Sequence, residues 1–126
     1  MGAGVVPVYE TQISDEAQFN GDGKGLAEDF SILNELASAA GLRPLGDFAQ
    51  NEFEEYVDGT SSLDLTYHPI SEALATVVGL MEQIRSKPDA ASKLSDPEYT
   101  FEELEELARS LRDVESSGTR FCLFFM

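Results

Sequence analysis

Thr100-Phe101-Glu102-Glu103-Leu104-Glu105-Glu106-Leu107-Ala108-Arg109-Ser110-Leu111-Arg112-Asp113-Val114-Glu115, then Gly118, then Thr119-Arg120-Phe121-Cys122-Leu123-Phe124-Phe125-Met126 decides the fold. Phe101, Leu104, Leu107, Ala108, Leu111 and Val114 recur at three- and four-residue steps, which puts them on one face of a helix. Glu102, Glu103, Glu105, Glu106, Arg109, Arg112 and Glu115 take the rest of the surface. Glu105 and Glu106 are both spaced to pair with Arg109. Thr100-Phe101-Glu102-Glu103 has the form of a capping box, so the helix is predicted to begin there. Gly118 is predicted to end it.

The run after Gly118 reads as a strand that is apolar on both faces. Such a strand has to be covered on both sides or it would template aggregation. Its economical partner is the β-branched stretch Gly4-Val5-Val6-Pro7-Val8-Tyr9 at the other end of the chain. Pro7 has no N–H to give a ladder, which predicts an edge position or an early end to the pairing.

Two further helices are predicted between these ends. One begins near Gly25, with Leu26, Phe30, Leu33, Leu36, Ala37 and Ala40 on one face and Gly41 as a left-handed stop. Glu28 and Asp29 sit in its first turns, where the helix dipole favours negative charge. The other follows Pro69, a residue tolerated in a first turn. Ile70, Ala73, Leu74, Val77, Met81 and Ile84 form its stripe, with Val78 and Leu80 widening it, and Pro88 ends it. Residues 10–24 read as a polar loop. Within 42–69, Pro44, Gly46 and Gly59 break regularity; residues 51–57 suggest a short helix, and 63–67 a short strand or an extended connection. The expected class is α+β: three main helices packed on a small sheet that includes the N- and C-terminal strands, in a single domain over residues 1–126.

The 126 residues are 42% hydrophobic and 10% aromatic, enough for a real core. The outlying number is charge: 24 Asp plus Glu against 8 Lys plus Arg, a formal net charge of −16. Nucleic-acid binding needs a cationic footprint, and this field repels both phosphate backbones and anionic membranes. It attracts basic proteins, although solubility alone also accounts for it. Cys122 is the single cysteine, so no intramolecular disulfide forms, and its apolar neighbours predict a buried structural thiol. The N-terminus lacks a secretory pattern, Val6 stands where myristoylation wants Ser or Thr, and no apolar run is long enough to span a membrane. A cytoplasmic protein is the expectation.

Candidate chemistry is sparse. Asn20-Gly21-Asp22-Gly23-Lys24-Gly25 resembles the start of a calcium loop, but Lys24 and Ser31 occupy positions that need oxygen ligands, the last of them a bidentate Glu. The same glycines lack the spacing and hydroxyl of a phosphate loop. One His and one Cys exclude a structural zinc site, and no cofactor motif is present. Adjacent carboxylates such as Glu54-Glu55 and Glu102-Glu103 lie on predicted exposed faces, not across a cleft as glycoside hydrolysis requires.

Two surfaces remain. The first sets Asp47, Glu52, Glu54, Glu55 and Asp58 among the aromatics Phe48, Phe53 and Tyr56, which would give a partner-binding patch with anchors and a charged rim. Alternatively Phe48, Phe53 and Val57 point inward and the acids are simply solvated. The second is the outer face of the last helix. The leading expectation is a non-catalytic interaction or regulatory protein that binds a basic protein, an immunity-like inhibitor being one form. The alternative is a small enzyme or ligand-binding domain with a pocket at His68, using Tyr67, Ser71 or Glu72. A third reading is an acidic mimic of nucleic acid.

Overall fold

The C-terminal strand, Arg120–Phe125, is the centre of a four-stranded sheet, which follows from its having no polar face to offer solvent. The computed structural model describes residues 4–50 and 67–125. Among these the elements run β1 (Val5–Tyr9), α1 (Lys24–Glu28), α2 (Phe30–Ala39), β2 (Ala49–Gln50), β3 (His68–Pro69), α3 (Ile70–Ser86), α4 (Pro88–Ser92), α5 (Pro97–Glu115) and β4 (Arg120–Phe125). Single 3-10 turns lie at Asp15–Ala17 and Leu45–Phe48. The fold is α+β, with three main helices against a sheet that contains both terminal strands, as the sequence predicts.

β1 and β4 are antiparallel over their full overlap, with Val5 opposite Phe125 and Tyr9 opposite Phe121. β2 joins β4 in parallel, with Ala49 opposite Leu123. β3 joins it antiparallel, with His68 opposite Phe121. Because β1 fills one edge of β4, the two short strands follow one another along the other edge. The parity of β1 explains Pro7. Glu10 donates its N–H inward to the Arg120 carbonyl at 2.8 Å, while Val5 donates outward to the Gly23 carbonyl at 3.0 Å. Alternation places Pro7 in the outward set, where its missing N–H costs the sheet nothing.

The helices bury their apolar stripes on the sheet and on each other. Leu104, Leu107 and Leu111 of α5 share one buried core with Val77 and Leu80 of α3, Leu33 and Ala37 of α2, and Phe121 and Leu123 of β4, all within 1% of complete burial. Phe48 stacks on Phe121 with centroids 5.9 Å apart, and Phe30 meets Phe125 edge-on at 4.9 Å. Each such large side chain contributes about 1.5–3 kcal/mol by leaving water. Cys122 is fully buried. Gly41 and Gly118 take φ of +77° and +78°, the left-handed stops expected after α2 and α5. Among the described residues no helix is long and apolar enough to cross a membrane.

Several boundaries differ from the sequence reading, each for a local reason. α5 begins at Pro97, one turn earlier than Thr100; Asp96 is the true N-cap, accepting from the Tyr99 N–H at 3.2 Å, and Pro97 takes the first turn. The first helix is broken at Asp29 (φ −103°, ψ 15°) into α1 and α2. Pro69 is the cap of α3, outside its first turn. Pro88 ends α3 but also opens α4. Leu80 is buried, whereas Val78 is 39% exposed and lies off the stripe. The short helix expected at 51–57 lies outside the described residues, as do 63–66 of the extended stretch at 63–67.

Candidate functional site

β2 begins directly after Phe48 and β3 carries His68, so pairing both with one edge of β4 brings these two candidate residues together. The rings of Phe48 and His68 meet edge to face, 5.4 Å apart and at 90°. Arg43 closes the cluster. Its guanidinium lies 4.9 Å from the Phe48 ring centre, pairs with Asp47 at 3.1 Å and reaches Glu72 in the first turn of α3. Thr76 fixes Arg43 by donating to its carbonyl at 2.7 Å.

Asp47, Phe48, His68 and Glu72 are therefore neighbours, with Phe48 pointing inward, the second of the two readings of its patch. Phe48 is fully buried, capped by Arg43 and His68, so it is a core residue and not an anchor presented to a partner. Asp47 is exposed and shares the Arg43 guanidinium with Glu72. Glu52, Phe53, Glu54, Glu55, Tyr56 and Asp58 lie outside the described residues. His68 is half-buried, and burial, helped by the nearby Arg43 charge, holds it below the ordinary histidine value. Among the described residues no hydrogen bond joins it to Ser71 or Glu72, and Tyr67 is half-buried beside it in the chain.

The second concentration of polar chemistry was not foreseen. Glu103, placed by the sequence on the solvent face of α5, is only 4% exposed. Its carboxylate accepts from the N–H groups of Gly23 and Gly25 at 2.9 Å and of Leu26 at 3.1 Å. It thus satisfies the orphan donors at the start of α1 from a different element. One helical turn on, Glu106 accepts from the Asn20 N–H at 2.8 Å. Behind Glu103, fully buried Asp29 accepts from the Thr100 hydroxyl at 2.8 Å and from the Ser95 N–H at 3.0 Å. The Tyr99 hydroxyl donates to Asp22 at 2.6 Å.

The glycines are required by this packing. Gly23 has φ of +73°, and a Cβ there would stand 2.2 Å from the Val5 carbonyl oxygen. Burial raises the Glu103 carboxyl above the ordinary glutamate value, with the neighbouring Asp22 acting in the same direction and the backbone N–H groups opposing. The Tyr99 hydrogen bond holds Asp22 below the ordinary aspartate value and raises Tyr99 itself.

This junction accounts for the calcium-loop likeness. The loop's amides face a carboxylate supplied from within, and Asp22 is turned to Tyr99. Among the described residues no group of three or more His, Cys, Asp or Glu side chains is placed to hold a metal. The sequence did carry a signal for Glu103: Thr100, Glu103, Leu107 and Ser110 form one line along the helix, and all four are buried. Ser110 donates to the Ala17 carbonyl at 2.6 Å and is 2.6 Å from the Tyr9 hydroxyl. Arg109 pairs with Glu106 and Asp113, not with Glu105, and also donates to the carbonyls of Glu16 and Gln18. The loop between β1 and α1 is thereby fastened to α5 along its length.

No protein-family model, no curated protein and no solved structure matches this chain.

Proposed function

We propose that the chain is a non-catalytic interaction protein whose acidic surface engages a basic protein partner. The observation that carries this reading is the distribution of the acids. Among the described residues only Asp29 and Glu103 are buried carboxylates. The described ion pairs engage only Arg43, Arg109 and Arg120, with Glu10, Asp47, Glu72, Glu106 and Asp113. The other exposed acids, including Glu28, Glu35, Glu98, Glu102, Glu105 and Glu115, are in no ion pair among the described residues. Such a surface speeds encounter with a cationic partner and repels anionic ones. Inhibition of a basic nuclease or toxin is one form this takes, by analogy with immunity proteins. An enzyme built on His68 would need a carboxylate to orient the imidazole, and Glu72 is committed to Arg43.

The test is capture of partners from native lysate at low and high salt, followed by association kinetics with the captured protein. The expected result is a basic partner whose association rate falls steeply with ionic strength. A rate indifferent to ionic strength contradicts the reading.

A further inference from the structure

An open groove of about 450 Å³ runs between the C-terminal part of α3 and the first turns of α5, lined by Ile84, Pro97, Glu98, Phe101, Glu102 and Glu105. Its floor is apolar: Ile84 is buried and Phe101 half-buried. Its rim is acidic: Glu98, Glu102 and Glu105 are exposed, and steps of four and three residues align them on one side of the helix. None of the three takes part in an ion pair among the described residues, in contrast to Glu106 beside them. The row spans roughly 10 Å of helix. Carboxylates strung along a line suit a row of cations on a polypeptide better than a single metal ion, and no metal-holding group is found among the described residues. The aromatic floor already receives a cation from the chain itself, since the Arg85 guanidinium lies 5.5 Å from the Phe101 ring centre.

We propose that this groove is the docking seat for the basic partner, and that its occupant is an amphipathic helix of another protein. Lys or Arg residues at i, i+4 and i+7 would face Glu98, Glu102 and Glu105, and an apolar or guanidinium group would lie on Phe101. The inference rests on the reading that the acidic surface binds a basic protein, and adds where and how. A second copy of this chain is the wrong occupant, because each copy carries a net charge of −16 and would bring acids against acids.

The test is an NMR titration of the isotope-labelled chain with a synthetic helical peptide bearing Arg at i, i+4 and i+7 and one Leu, at about 150 mM NaCl. Saturable binding is expected, with shifts concentrated at Ile84, Phe101 and residues 98–105. Neutralising the rim by E98Q, E102Q and E105Q together is expected to weaken binding roughly tenfold. Neutralising three other exposed acids by E28Q, E35Q and E115Q is expected to change it less than about twofold. Unfolding curves of both triple variants verify that each is folded. Shifts scattered over the surface, or equal losses from both triples, overturn the groove while leaving the acidic-surface reading standing. No binding even at about 20 mM NaCl overturns both.

Discussion

Glu102 and Glu103 are adjacent in sequence, identical in chemistry and opposite in role. Glu102 stands exposed on the rim of a groove; Glu103 is enclosed and holds three backbone N–H groups of a glycine-rich turn. The helix makes part of this difference, since Glu103 borders the apolar stripe in line with the buried Thr100, Leu107 and Ser110, whereas Glu102 points away from it. The rest comes from what the topology brings opposite each: among the described residues no ion pair or hydrogen bond engages the Glu102 side chain, whereas Glu103 meets the start of α1, where donors have no partner within their own helix. In a chain with so many acids, the ones that hold the fold together are those that find N–H groups, and the rest are left for the surface.

That contrast can be broken by substitution. The largest loss is expected from Glu103→Ala, which leaves three buried donors without an acceptor; at about 1–3 kcal/mol for each and less than full additivity, urea unfolding should show a loss of about 4 kcal/mol. Gly23→Ala attacks the same junction from the other side, through a left-handed φ and a clash with the Val5 carbonyl, and should cost about 3 kcal/mol. Asp96→Ala, which removes only the N-cap of α5, should cost about 1 kcal/mol. Glu102→Ala should change stability by less than about 0.5 kcal/mol.

Acid titration sharpens the contrast within one helix. Glu103 is raised above 4.5 by burial, so the folded state holds its proton where the unfolded chain has released it. Its effect is to make the fold more stable as pH falls from neutrality toward 4.5. Glu106 is held below 4.5 by its hydrogen bonds with Arg109, so its contribution is present above 4.5 and lost as pH falls through the lowered value. Urea unfolding should show the advantage of the wild type over E103Q growing as pH falls from neutrality toward 4.5, and its advantage over E106Q shrinking only below 4.5.

The parts of the fold readable from sequence were those with strong local period or an unavoidable packing demand. The stripe from Leu104 to Val114 defined α5, and a terminal run with no polar face had to find cover and a partner strand. Pro7 marked an edge or an early end to the pairing because it has no N–H for a ladder, and the edge is what the fold adopts. The break at Asp29 was invisible because the apolar period continues across it; a carboxylate held by Ser95 and Thr100 is a tertiary fact. The true start of α5 was missed because Thr100 and Glu103 have capping-box spacing, yet both side chains are drawn into the junction with α1. The two-residue strands β2 and β3 carry too little sequence to show a pattern. They are also what brings Phe48 to His68, so that cluster could not be assembled beforehand. Phe48 illustrates the limit of reading an aromatic among acids: burial is decided by what stacks on it, here Phe121, His68 and Arg43.

The most direct check is a side-by-side measurement of unfolding free energy for Glu102→Gln and Glu103→Gln at about pH 7 in the same buffer. Replacing one carboxylate oxygen by an NH2 group should cost at least about 1.5 kcal/mol at Glu103, where acceptors are required, and under about 0.5 kcal/mol at Glu102. Equal effects at the two positions would contradict the division of the acids into those that hold the fold and those left on its surface.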